Sequence, residues 1–408
     1  MKNMIIGQSG GPSSVINSSL AGAYCEGKKR GVDKVFGMIG GIKGFLDERY
    51  VNLDDYIKDA KDVQVLRQTP AAALGSCRYK LPNMEEDDEP YRRLFAIMKK
   101  LEIAYFIYIG GNDSMDTVLK LSEYGEKIGS PIRFIGSPKT IDNDLPVTDH
   151  TPGFGSAAKY IATSVKEIIR DSSVYDIPSV TVIEIMGRNA GWLTGSSILA
   201  KGTDCCGVDL IYLPEMSFSL DKFEDDVKKI LKTKNTVVVA VSEALRDKNG
   251  DYITKSGSVH SSLDDFGHKI MSGTSSFLAN YIGEKLGIKA RGIEINTLQR
   301  CAAHCASKTD SDEAFLAGAE SAKAALEYKT AEMVVILRIS DEPYKIKVRT
   351  ASIGEIANIE KTVPKEWITE NGTSLSDDFV KYVKPLIEGE VELICENGLP
   401  VHMVIKDK

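Results

Sequence analysis

Met4-Ile5-Ile6, then Gly7-Gln8-Ser9-Gly10-Gly11-Pro12, then the small and apolar run from Ser13 to Ala23: read in order, these are a short strand, a glycine loop, and a helix opened by Ser13 or Ser14. The same grammar recurs. Tyr105 to Ile109 is an apolar strand that runs into Gly110-Gly111-Asn112-Asp113-Ser114 and a helix through Leu121, and Phe134-Ile135-Gly136 runs into Pro138-Lys139-Thr140-Ile141-Asp142-Asn143-Asp144. Further strands are predicted at 180–185, 210–213, 236–241 and 333–337, and helices at 157–170, 220–231, 274–285 and 312–328. Alternation of this kind predicts an α/β protein with mainly parallel sheets. In such sheets ligands sit beyond the carboxyl ends of the strands, so the three loops should converge on one site.

The chain has 408 residues, 42% of them hydrophobic, more than one core accommodates, and two lobes are expected. Lys and Arg number 51 against 58 Asp and Glu, a net charge of -7. That balance gives no general attraction to nucleic acid or to anionic membrane, and any phosphate binding must be local. Seven scattered cysteines, with no secretory leader read at the start, fit a reducing cytoplasm. No apolar run reaches the length of a membrane span. Cys301 and Cys305 flank His304 but lack a second ligand pair, and they read as structural. From about Lys345 onward the apolar spacing weakens, which predicts a less regular C-terminal extension.

The three loops describe phosphoryl-transfer chemistry. That reaction needs an anion cradle, a cation for the bridging oxygens, and a base at the acceptor hydroxyl. Gly10 and Gly11 leave backbone N–H groups free to approach phosphate oxygens at a helix start. Taken alone, they serve a tight turn equally well. Asp142 and Asp144, two apart in a loop, allow one carboxylate to face a reacting hydroxyl while the other serves a Mg²⁺ shell. An Asx turn around Asn143 is the plainer reading. Lys139 beside them argues for chemistry, since its ammonium can offset charge on the transferring oxygens, typically worth ~3 kcal/mol.

These segments resemble the phosphofructokinase family over residues 5 to about 305. Gly-Gly-Pro after the first strand, Gly-Ser-Cys-Arg at 75–78, Gly-Gly-Asn-Asp-Ser at 110–114, Pro-Lys-Thr-Ile-Asp-Asn-Asp at 138–144, Met-Gly-Arg at 186–188, Ser-Glu at 242–243 and Leu-Gln-Arg at 298–300 occur in family order. The resemblance implies two Rossmann-like lobes plus a C-terminal extension: residues 1–150 with about 300–340 for the donor, 151–300 for a sugar phosphate, and 341–408 as the extension. It implies phosphoryl transfer to the 1-hydroxyl of fructose 6-phosphate, a step of glycolysis, with Asp142 as general base and Lys139 and Asp113 in the catalytic set. Gly11 and Arg78 match donor contacts. Thr140, Asp142, Met186, Gly187, Arg188 and Glu243 match sugar-phosphate contacts. Arg291 and Arg300 match arginines on the 6-phosphate, one of which comes from a neighbouring subunit in the family, so a homodimer or homotetramer is implied.

The donor is decided by two departures. ATP-using members resemble this chain except for glycines at the places of Asp113 and Lys139. A carboxylate ~4 Å from a nucleotide α-phosphate repels it by about 4 kcal/mol at an effective dielectric of 20, nearly three decades in affinity. Diphosphate avoids that clash and gains Lys139, and the resemblance therefore points to the diphosphate-dependent subgroup. Asn112 stands where most members carry a Mg²⁺-binding aspartate, which implies binding through the amide oxygen, through water, or through Asp144. Ser179 and Thr297 stand where a 6-phosphate arginine and a histidine are expected, with Lys308 or Tyr281 as substitutes. The competing readings are an ATP-dependent enzyme, a non-catalytic regulatory subunit suggested by Asn112, and a Rossmann oxidoreductase, which the first loop's glycine spacing does not fit.

Overall fold

The computed structural model describes residues 2–254 and 273–406. The strands in chain order are β1 Asn3–Gln8, β2 Val35–Met38, β3 Tyr50–Asn52, β4 Ile103–Gly110, β5 Arg133–Pro138, β6 Ser179–Ile185, β7 Leu210–Tyr212, β8 Thr236–Ser242, β9 Lys289–Glu294, β10 Glu332–Asp341 and β11 Tyr344–Ser352. The seven-stranded sheet has the order β11-β10-β5-β4-β1-β2-β3 and the four-stranded sheet β7-β8-β6-β9, and a short ribbon pairs Cys395–Glu396 with Leu399–Pro400. Pairing is parallel throughout the second sheet. In the first it is antiparallel at the two edges, β2 with β3 and β10 with β11. The fold is α/β with mainly parallel sheets.

The strands read from sequence are those buried on both faces. Every residue of β1 is buried, as parallel strands covered by helices require. Of the edge strands β7 was read, while β3, β9 and β11 were not: β9 is Lys-Ala-Arg-Gly-Ile-Glu, and β11 alternates exposed Lys345, Lys347 and Arg349 with half-buried neighbours. Charge on the outer face is how an edge strand resists pairing with another chain. The helices Ile16–Lys29 and Lys308–Leu326 approach backbone to backbone. A Cβ on Gly22 would lie 2.0 Å from the Phe315 carbonyl oxygen, and one on Gly318 would lie 1.9 Å from that of Ser19.

The chain divides into two compact units, one of residues 1–156, 300–360 and 388–408, the other of 157–299 and 361–387. The expected single extension over 341–408 is therefore corrected. Its first part completes the first sheet as β11, which pairs with β10 from Glu332↔Ser352 to Asp341↔Tyr344. Its middle part joins the second unit through Trp367 and Phe379, which pack against Trp192, and its last part returns to the first. Among the described residues, no helix is long and apolar enough to cross a membrane.

Candidate active site

In the first unit β5, β4 and β1 are neighbours in the sheet, so the loops that follow them leave one edge together. Ser9 N–H donates to Ile109 C=O at 2.9 Å and Lys139 N–H to Gly110 C=O at 3.0 Å. Gly10 has φ +75°, a left-handed conformation that glycine adopts without strain. A Cβ there would stand 3.5 Å from Lys139 Nζ, and one on Gly11 would stand 3.6 Å from Arg300 Nη1. Lys139 Nζ donates to Gly11 C=O at 2.5 Å. The segment 75–78 lines the same loop, with Gly10 N–H on Cys77 C=O at 3.2 Å and Ser76 Oγ on Gly10 C=O at 2.7 Å.

Lys139 is 3% exposed. Burial pulls its ammonium down to about 8; Arg300 and Arg78 push the same way, while Asp142 and Asp144 oppose them. One cation thus feels Arg78, Arg300, Asp142 and Asp144. Arg300 stands among the donor loops, whereas the sequence suggested a grip on the sugar's 6-phosphate.

The loop bearing the carboxylates is pinned to the segment behind it. Thr140 pairs with Gly153 in a parallel bridge, and Thr151 Oγ1 donates to Thr140 C=O at 2.8 Å. Asn143 takes φ +53° and its Oδ1 accepts from Thr151 N–H, eight residues on, at 3.1 Å, so its amide ties the loop to the segment behind it. Thr140 Oγ1 accepts from Asp142 N–H at 3.1 Å. Asp310, itself buried, accepts from Gly153 N–H and Ser156 N–H, both at 2.9 Å. Asp144 is pushed up to about 7 by burial, then by Asp142 and Glu360. Its Oδ1 is buried with no hydrogen-bond partner among the described residues.

Two expectations change here. Asp113 is not a bare charge: Lys80 Nζ lies 3.1 Å from its Oδ1, a cation that opposes the repulsion expected against a nucleotide and leaves the side chain's bulk. Asn112 is already engaged by the backbone. Its Oδ1 accepts from Asn358 N–H and its Nδ2 donates to Ile359 C=O at 2.7 Å, so it ties down the segment that ends at Glu360. Among the described residues, no group of three or more His, Cys, Asp or Glu is arranged to hold a metal by protein ligands alone. Magnesium does not need such a group, since one or two carboxylates plus substrate phosphates hold it. The orphaned Asp144 Oδ1 beside Asp142 fits that donor set.

In the second unit, Met186-Gly187-Arg188 follows β6 and Ser242-Glu243 ends its parallel neighbour β8. Glu243 N–H donates to Ile185 C=O at 3.0 Å, and Ser242 Oγ donates to Gly187 C=O. Gly187 has φ +130°, and a Cβ on it would lie 2.6 Å from Ala190 C=O, so glycine is required. Met186 N–H is held by Gln299 Oε1 at 3.3 Å. Arg188 Nε is buried without a partner among the described residues. Arg291 lies elsewhere, in register with Thr181 towards the start of β6, where it pairs with Asp171 at 3.1 Å. There it lines a shallow pocket with Ser179, Thr181 and Lys289. Lys289 is level with Ser179, a juxtaposition hidden in the sequence because β9 was not read as a strand. The suggested substitutes are engaged: Tyr281 donates to Glu224 at 3.1 Å and Lys308 pairs with Asp312.

The sequence profile described as Phosphofructokinase matches residues 3–325. The chain belongs to the phosphofructokinase family. It is 40% identical over 402 residues to a pyrophosphate--fructose 6-phosphate 1-phosphotransferase of Halomonas elongata, covering 98% of this chain and 94% of that one. A protein of the same name from Xanthomonas campestris pv. campestris is 39% identical, with 99% and 96% covered. The crystal structure of a pyrophosphate-dependent phosphofructokinase from Marinobacter aquaeolei superposes with a TM-score of 0.88 at 35% identity, covering 100% of this chain and 97% of that one.

Proposed function

We infer that this phosphofructokinase transfers a phosphoryl group from diphosphate to the 1-hydroxyl of fructose 6-phosphate, giving fructose 1,6-bisphosphate and phosphate, and that the reaction runs in both directions. The observation that carries the reading is the buried Lys139, held between the Gly10-Gly11 loop and the carboxylates of Asp142 and Asp144. The full-length similarity to enzymes named for the same reaction supports it.

In this reading the first unit is the donor half and the second the sugar-phosphate half. The Gly10 and Gly11 loop, Arg78 and Lys139 hold diphosphate, and Asp113 fills the space a nucleotide would need. Thr140, Met186, Gly187, Arg188 and Glu243 hold the sugar phosphate. Asp142 takes the proton of the 1-hydroxyl as that oxygen bonds to phosphorus; the bridging P–O bond of diphosphate breaks and its electron pair leaves with phosphate. Lys139 lies where negative charge builds on the transferring group, and its fixed position removes the cost of reorganising a solvent shell. Asp144, with Asp142 beside it, would hold Mg²⁺, which supplies charge neutralisation on the phosphate oxygens.

Arg291 is assigned to the 6-phosphate of a second copy's substrate, which makes the enzyme a homo-oligomer. The seven cysteines are scattered and odd in number, which supports placing it in the reducing cytoplasm. A donor comparison tests the reading. Fructose 1,6-bisphosphate should form from diphosphate and not from ATP; turnover with ATP alone would overturn it. Asp113→Gly should admit ATP weakly, with the gain set by volume, since Lys80 already opposes the charge.

A further inference from the structure

We propose that Gln8 and Asn17, two fully buried side-chain amides that take no part in the chemistry, are positioning residues for the diphosphate half of the reaction. They lock the segment 69–74 against the glycine loop and so set where Arg78 stands. The inference rests on the reading of the first unit as the donor half.

The two amides bracket the loop in the chain: Gln8 is the last residue of β1 and Asn17 lies in the first turn of the following helix. Asn17 uses its whole bonding capacity. Its Nδ2 donates to Thr69 C=O and Ala71 C=O, both at 2.8 Å, while its Oδ1 accepts from Ala73 N–H at 3.0 Å and from Gln8 Nε2 at 2.8 Å. Gln8 Oε1 accepts from Leu74 N–H at 3.0 Å. These partners fix which end of each amide is oxygen, because a carbonyl can only accept and a backbone N–H can only donate.

The segment they hold has no strand or helix to satisfy its backbone, and Ala71 takes φ +60° within it, an uncommon conformation for a residue with a side chain. Held there, it delivers the next residues to the donor loop, where Ser76 and Cys77 bond to Gly10. Arg78 follows, its charge felt at Lys139. The two walls of the diphosphate cradle are thus registered to each other by two side chains behind them. Loss of that register should weaken diphosphate and leave the sugar phosphate, none of whose contacts lies in the segment 69–78, unaffected.

Gln8→Glu keeps the acceptor for Leu74 and replaces the donor to Asn17, at constant shape. Asn17→Asp keeps the acceptor for Ala73 and removes both donors. Steady-state kinetics on the full chain should give a KM for diphosphate raised about tenfold in each, with KM for fructose 6-phosphate within about twofold. Calorimetric binding of fructose 6-phosphate reports whether the variant is folded, and if Asn17→Asp does not fold, Gln8→Glu decides. An unchanged KM for diphosphate, or equal shifts in both KM values, overturns the inference while the functional reading stands. A wild-type enzyme inert with diphosphate takes both down.

Discussion

Lys139 combines two demands that oppose each other, a fixed position and a charge. Burial supplies the first and costs the second, and the outcome is an ammonium at about 8 in the free protein. The depressed value means that the charge is present below about 8 and is lost as pH rises through it. The pH profile of kcat/KM for diphosphate, which reports the free enzyme, should therefore fall on its alkaline side near pH 8. Lys139→Met should abolish that limb and lower kcat/KM by roughly 10²–10³, the size of one lost electrostatic contact to a transition state. A limb that persists in the variant would assign it to another group. Asp142 is tested differently: Asp142→Asn keeps the loop's shape and removes the proposed base, so kcat should drop roughly 10²–10⁴-fold with KM for fructose 6-phosphate within a few-fold. A kcat within a few-fold of wild type would remove Asp142 from the proton transfer.

At the scale of elements, the segment that carries Asp142 owes its place to the helix Lys308–Leu326 and the β10–β11 hairpin. His150 bonds Asp149 at 2.7 Å through Nδ1 and Glu313 at 2.6 Å through Nε2. Tyr344 donates to the other oxygen of Glu313, and Arg338 pairs with Asp149 at 3.0 Å. Burial disfavours the imidazolium, but the two carboxylates outweigh it and raise His150 to about 9. A folded-state value above the unfolded one gives stability that is complete below about 6.5 and is lost as pH rises towards 9, on the order of 3 kcal/mol. Urea unfolding between pH 6.5 and 9 should show that slope, and His150→Gln should flatten it; an equal slope in the variant would refute the clamp. None of this was legible in the sequence, because Glu313 and Tyr344 lie 163 and 194 positions from His150 and neither belongs to a motif. The same distance hid the work of Asn112, whose partners Asn358 and Ile359 follow β11. What was legible were strands buried on both faces and loops with unusual residue types at their ends: β1, β4 and β5 announce themselves by uninterrupted apolar runs. The charged edges β9 and β11 carry no such signal.

For the whole molecule, the position of Arg291 sets the argument. It is level with Thr181 on β6, whereas the Met-Gly-Arg loop begins at Met186, about 16 Å further along at ~3.3 Å per residue. A guanidinium on its short aliphatic stem does not cover that distance, so Arg291 cannot serve the Met186 and Glu243 loops of its own unit. If it binds the sugar phosphate, it does so in another copy, and each site then takes Asp142 from one chain and Arg291 from its neighbour. Arg291→Ala and Asp142→Asn should each be inactive as pure oligomers. After co-refolding, a mixed dimer has one site with both defects and one with neither, so an equal mixture should recover about a quarter of wild-type activity, as closed two-fold symmetry dictates. Recovery requires chains to share a site, which no single-chain arrangement reproduces. Activity that stays at zero in mixtures shown by native mass spectrometry to contain hybrids would place Arg291 outside the sugar-phosphate site and leave the pocket it lines with Ser179 and Lys289 without that role.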